Sequence, residues 1–316
     1  MKDMSYIHRL QKPTTAVDVV IDTDAYNQVD DLYALSYLIL SDDKLHLKAI
    51  FAAPFYSPPS LGRIRQNNSP CEGMNQSYHT IFELLEVMKR DDLKNIVFHG
   101  SERFLPDEHT YVDSQAAREL VRLANQYTPE KPLYVIAIAA LTNIASAILM
   151  DPTIFDKIVV VWLGGHGFDW HCCTDFNAAQ DIASARVIFG CGAAVVQLPL
   201  NGVVAEFRVS VIELEYLLKG KNELCDYLLI CSKELMKNAP VKNWSRPLWD
   251  VAVVAWLLDE AFMEDRLEHS PIFEYDLRYG TDRNRHFIKY VYHVNRDILM
   301  ADMFRKLIGK PDNQQS

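Results

Sequence analysis

An α/β fold, a mostly parallel open sheet flanked by helices with a largely helical C-terminal part, is predicted by three features of the chain. Short apolar, β-branched runs alternate with amphipathic segments up to about residue 200, and helix-length patterns dominate beyond residue 205. A 49% hydrophobic content over 316 residues supplies a sizeable core. Strands are expected at 17–22, 46–52, 95–99, 132–139, 157–163 and 194–199, and helices at 30–41, 74–90, 114–127, 142–150 and 181–190. The run Val19-Val20-Ile21 marks the first strand, and Leu32, Leu35 and Ile39 mark the apolar face of the helix after it. The stretch 54–71, with Pro58-Pro59 and Asn67-Asn68, reads as a long loop, and loops of that length in compact domains are often functional. Later helices are expected at 209–218, 224–237 and 247–258, with Pro247 in the first turn of the last. The end reads as strand, strand, helix, with 287–294 extended and 296–308 helical. No composition break, internal repeat or low-complexity tract marks a linker, so a single domain over 1–316 is expected, with order lost only in the tail 310–316.

The net charge of -10 gives no general attraction for nucleic acid or anionic lipid, and small neutral or weakly charged substrates fit it better. Residues 1–12 are polar and charged where a signal peptide needs an apolar segment, and no apolar stretch approaches bilayer length, so a cytoplasmic protein with no membrane partner is expected. Cysteines 71, 172, 173, 191, 225 and 231 lack zinc-ribbon spacing, and the adjacent pair Cys172-Cys173 suits no disulfide framework; free thiols are expected.

Chemistry concentrates at four places. Asp22, Asp24, Asp30 and Asp31 fall at the seam between the first strand and the following helix, where open α/β sheets bind ligands. Four carboxylates in one crevice repel one another unless protons or a cation neutralise them, and all-oxygen donors point to Ca²⁺ or Mg²⁺. Helix capping by one of Asp30 and Asp31 is the competing reading, but it leaves Asp22 and Asp24 unexplained. In Asp175-Phe176-Asn177, an extended chain would point Asp175 and Asn177 the same way, suited to vicinal hydroxyls, with Phe176 directed into the protein. Capping and turning the chain is the equal alternative there. At Leu141-Thr142-Asn143 a strand end can offer a backbone carbonyl to a metal, or Thr142 can simply cap a helix. Asp250, after Trp249, opens a very apolar helix and, if buried, needs a cation or several N–H partners.

In this order and spacing the four landmarks resemble the inosine-uridine-preferring nucleoside hydrolases, over about residues 17–260 and onward to the end. The resemblance implies Ca²⁺-dependent hydrolysis of the N-glycosidic bond of ribonucleosides, giving ribose and free base, in a homo-oligomer, dimer or tetramer. Asp24 and Asp31 match the family's Ca²⁺ ligands, with Asp250 and the backbone carbonyl of Thr142. Asp24 also matches the general base for the attacking water, and Asp30, Asp175 and Asn177 match groups that hold the ribose hydroxyls. Asp22 matches a position that orients the loop. The residue types suit the chemistry independently, because departure of the base builds oxocarbenium character that carboxylates stabilise.

Three departures stand out. Ala25 to Val29 is two residues longer than the common form of the motif, so Asn27 becomes a candidate ligand or ribose contact. Asp175 stands where many members carry Glu, and Trp249 where purine-active members carry His. His166, His171 and Tyr26 are the candidates to replace that leaving-group acid, and the loop around Cys71-Glu72-Gly73-Met74 and Tyr78 is the other place to look for base contacts, with Met74 and Tyr78 equally suited to a helix core. Pyrimidine ribosides, or others whose leaving group needs little protonation, are then favoured over inosine. Two rival readings are a non-catalytic ribose- or nucleoside-binding fold-mate and an Asp-dependent Mg²⁺ phosphohydrolase, the latter disfavoured because no basic residue is evident at the other three landmarks.

Overall fold

The buried β-branched runs pair into strands β1 (Val17–Thr23), β2 (Leu45–Ala52), β3 (Val97–His99), β4 (Leu133–Ala137), β5 (Ile158–Leu163) and β6 (Ala194–Leu198). After them come a short antiparallel ribbon of β7 (Arg208–Ser210) and β8 (Ser245–Pro247), then β9 (Met263–His269), the pair β10 (Ile272–Phe273) and β11 (Tyr279–Gly280), and β12 (Phe287–Val294). The computed structural model describes residues 2–309, so the tail 310–316 lies outside the described residues. The main sheet has eight strands in the order β3-β2-β1-β4-β5-β6-β12-β9, parallel throughout except for β9, which runs antiparallel to β12.

The helices are α1 (Lys2–Arg9), α2 (Asp30–Ile39), α3 (Pro70–Val87), α4 (Gln115–Ala124), α5 (Thr142–Met150), α6 (Phe176–Gln180), α7 (Ile182–Gly190), α8 (Val211–Leu218), α9 (Glu223–Leu235), α10 (Val251–Trp256) and α11 (Arg296–Ile308). Alternation along β1 divides the core. Val19 and Ile21 pack with α2, α10 and α11 on one face, while Val20 packs with α4, α5 and α7 on the other. The strand order reverses between β1 and β4, and this switch point opens a crevice beyond their carboxyl ends.

The expected strands and helices recur with shifted ends, and three details differ. Pro247 closes β8 instead of opening a helix, and α10 begins only after Asp250. Residues 176–180, capped by Asp175, form a short helix of their own instead of an extended stretch. Strand β4 stops at Ala137, two residues before its apolar run ends. The loop between β2 and α3 is held by Asn67, whose side chain accepts from Ser57 N at 2.9 Å and donates to Phe55 O at 3.2 Å. All six cysteines are free, and among the described residues no helix is long and apolar enough to cross a membrane.

Candidate active site

At the switch point a cavity of about 190 Å³ collects Asp24, Asn27, Asp30, Asp31, Asn177, Trp249 and Asp250. Asp24 follows β1, and Asp30 and Asp31 form the first turn of α2. Capping does not explain them: Val29 holds the N-cap position, and no side chain caps this helix. Asp250 likewise holds the N-cap position of α10 without a side-chain cap bond, so its carboxylate is free for the cavity. Helices α2 and α10 pack against each other, which brings the starts of both helices together. Their positive dipole ends favour the negative charge gathered there.

The carboxylates are almost wholly buried, with exposures of 2% for Asp24, 2% for Asp30, 1% for Asp31 and 4% for Asp250. Donor oxygens of Asp30, Asp31 and Asp250 lie within 4.8 Å of one another. Burial, with Asp30 beside it, pushes the Asp31 carboxyl up to about 7, against the pull of the Thr23 hydroxyl that donates to it at 2.7 Å. Burial and the neighbouring carboxylates also push Asp24 and Asp250 well above their ordinary range. Among the described residues one cation is directly paired with the cluster: Arg246 Nη2 meets Asp30 Oδ1 at 2.6 Å, both side chains buried. The negative charge left over, offered by oxygens alone, fits a hard divalent cation.

Four residues expected or offered as ligand contacts, Thr142, Asp175, His166 and His171, do not line the cavity. Thr142 is the first residue of α5, and its hydroxyl donates to Asp181 at 2.6 Å. The strand-end residue at the cavity is instead Ile138, whose carbonyl accepts from Asn177 Nδ2 at 3.3 Å. Asp175 caps α6: it accepts from the backbone N–H of Gly165, Asn177 and Ala178 at 2.7, 3.0 and 3.1 Å, and so positions Asn177. Its partner Gly165 cannot readily be replaced, since φ is +74° and an added Cβ would meet Tyr279 Oη at 2.0 Å. Asp22 sits behind the cavity, accepting from Asn143 Nδ2 at 2.7 Å. His166 pairs with Asn201 Nδ2 at 3.3 Å, and His171 stacks on Trp170. Tyr26, Met74 and Tyr78 are also absent from the lining; Met74 is buried in the core and Tyr78 stacks on His99.

Asp175 carries a pH signature. Burial pushes its carboxyl up to about 7, so the folded chain holds a proton there after the unfolded chain has released its own. The stabilisation from that group is complete below about pH 4 and is lost as pH rises through 7. Asp175→Asn should therefore gain stability relative to the parent between about pH 5 and about pH 8 in chemical denaturation. A pH-independent difference would show that no buried proton is held there.

Sequence reasoning missed Arg63, Phe176, Gln28 and Arg246. Arg63 reaches over from the β2–α3 loop, its guanidinium 4.0 Å from the centre of the Phe176 ring, and donates to Asn27 Oδ1 at 3.0 Å. Asn27 in turn donates to Asp24 Oδ2 at 3.1 Å. Phe176 thus faces the cavity, contrary to the inward direction expected of it. Basic residues do stand at the carboxylates, one of them four positions before Asp250; the length of the loop was the only sequence signal for the other.

Comparisons with known proteins point to one family and one fold. The family described as inosine-uridine preferring nucleoside hydrolase matches residues 64–297, a range that begins after the first carboxylate loop. The pyrimidine-specific ribonucleoside hydrolase RihA of Salmonella paratyphi A is 24% identical over 268 residues, 77% of this chain and 80% of that one. A plant nucleoside hydrolase, PpNRh1, shares the fold with a TM-score of 0.72 at 20% identity, over 93% of this chain and 99% of its own. So does the purine-preferring ribonucleoside hydrolase from Gardnerella vaginalis, with a TM-score of 0.71 at 17% identity over 92% and 98%. Matched over most of its length, and with its carboxylates gathered at the switch point of the shared fold, the chain belongs to the inosine-uridine preferring nucleoside hydrolase family and is an N-ribohydrolase.

Proposed function

We propose that this single-domain chain is a Ca²⁺-dependent hydrolase of ribosides, releasing the base from ribose, with preference for leaving groups that need little protonation. The observation that carries the reading is the buried cluster of Asp24, Asp30, Asp31 and Asp250 in one cavity with Asn177. Asp24, Asp31 and Asp250 would hold the cation together with the carbonyl of Ile138, which takes the part first given to Thr142. Bound there, a dication offsets the carboxylate charge and makes nearby water more acidic.

Asp24 is the general base. Its Oδ2 is fixed by Asn27, leaving the other oxygen to take the proton from water. Asp30 has one oxygen engaged by Arg246 and one left for a ribose hydroxyl. Asn177 donates through Nδ2 to the carbonyls of Ile138 and Leu163, which leaves its Oδ1 to accept from a second hydroxyl. Held this way, the sugar is oriented before reaction, and the surrounding carboxylates stabilise positive charge as it develops on the ring. Trp249 offers a surface for the base but no titrating proton, and no histidine lines the cavity among the described residues. Pyrimidine ribosides suit such a site, and RihA is named for that specificity.

The test is free-base release from purine, pyrimidine and nicotinamide ribosides, with Ca²⁺ and after chelation. Release that stops on chelation and returns with Ca²⁺ is expected. Ca²⁺ should also raise the melting temperature, since a ligand bound only by the folded state stabilises it. Base release indifferent to chelation would remove the cation from the scheme, and binding without turnover would leave a ligand-binding role. For assembly as a dimer or tetramer, Ile212 and Tyr216 on α8, 64% and 83% exposed, offer an apolar face whose burial light scattering would check.

A further inference from the structure

A second cavity, of about 390 Å³, adjoins the first and shares Asn27, Gln28 and Arg63 with it. Its lining adds Arg65 and Arg246 and, among the described residues, contains no carboxylate. In a chain of net charge -10, three guanidinium groups in one recess are a local reversal of the general field. Arg246 is committed to Asp30 and to Gln28 Oε1, at 2.6 and 2.7 Å. The other two are not. Arg63 uses Nη1 alone, on Asn27, and Arg65 uses Nη1 alone, on the carbonyls of Tyr26 and Gln28. Among the described residues, Nε and Nη2 of both have no protein partner and neither forms a salt bridge. Both guanidinium planes are braced by aromatic rings, Arg63 over Phe176 and Arg65 at 4.9 Å over Tyr26. A braced guanidinium with a free Nε–Nη2 edge is a fork matched to the oxygens of a phosphate.

We propose that this recess takes a phosphate group carried by the riboside in the neighbouring cavity, so that phosphorylated ribosides are preferred over neutral nucleosides. The inference rests on the N-ribohydrolase reading and narrows its substrate class. The phosphate is a handle whose own bonds do not change. Water forms the new bond to the anomeric carbon, and the C–N bond breaks with its electron pair on the base. The proton removed by Asp24 balances the one the base takes up. Neutral or weakly charged substrates, favoured by the overall charge, are displaced as first choice by the arginines that line the recess.

The experiment compares kcat/KM for uridine with uridine 5′-phosphate, and inosine with inosine 5′-phosphate, on the full chain with Ca²⁺, in low and high salt. Inorganic phosphate is tested as an inhibitor. At least about a tenfold preference for the phosphorylated member is expected, shrinking as salt screens the charges. Arg63→Gln should lower that preference ratio about tenfold, a readout that general damage to the enzyme does not mimic. If that variant fails to fold, the parent's own ratio decides. Equal or better use of the neutral nucleosides overturns the phosphate handle and leaves the hydrolase standing. Inhibition by inorganic phosphate without a preference for phosphorylated ribosides assigns the recess to a free anion and also overturns it. No base release from either set overturns the hydrolase reading itself.

Discussion

Asp24→Asn should lower kcat by about 10³-fold while leaving the far-ultraviolet spectrum and the unfolding midpoint close to those of the parent. The amide keeps the shape of the carboxylate but cannot accept a proton from water. Removing one negative charge from a crowded cluster should, if anything, relieve repulsion in the metal-free fold. The comparison must be made at matched Ca²⁺ occupancy, since Asp24 is also assigned to the cation. Near-normal turnover under that condition would take the general-base role away from it.

The second large effect concerns stability. Arg246→Met should cost about 3 kcal/mol or more in the metal-free protein, because it leaves Asp30 buried without its ion-pair partner. Both members are shielded from water, so solvent screening offers little relief. Adding Asp30→Asn to the same chain should recover most of the loss, as an unpaired buried charge is replaced by a neutral amide. Denaturant midpoints of the parent, the single variant and the double variant test this. A loss below about 1 kcal/mol in the single variant would mean that Asp30 is neutralised by other means.

The parts of the site legible in the sequence were those signalled locally. A β-branched run followed by carboxylates and then an amphipathic helix identifies the end of β1, and Asp24, Asp30, Asp31, Asn177 and Asp250 do converge in one cavity. Two misplacements came from reading backbone conformation off side-chain types. The apolar run 133–139 looks like strand to its end, yet β4 stops early, so Ile138 and not Thr142 meets the cavity. Asp175-Phe176-Asn177 alternates like a strand, but the backbone N–H groups of Asn177 and Ala178 both donate to Asp175 and start a helix there, which sends Phe176 toward the ligand space. The arginines were hidden for a different reason. Arg63 meets Asn27 across 36 positions of sequence and Arg246 meets Asp30 across 216, and no periodicity reports contacts that tertiary packing alone creates.

That long closure also orders the molecule's history. A ribosome that has released residues 1–240 has made Asp24, Asp30 and Asp31 but neither Arg246 nor Asp250, the counter-charge and the fourth carboxylate. The first three-quarters of the chain therefore carry an acidic crevice without its ion-pair partner, while strand β12, which extends the sheet beyond β6, is still to come. Burial of that crevice waits for the last quarter of the chain, so the full set of four carboxylates exists only when the enzyme is nearly whole.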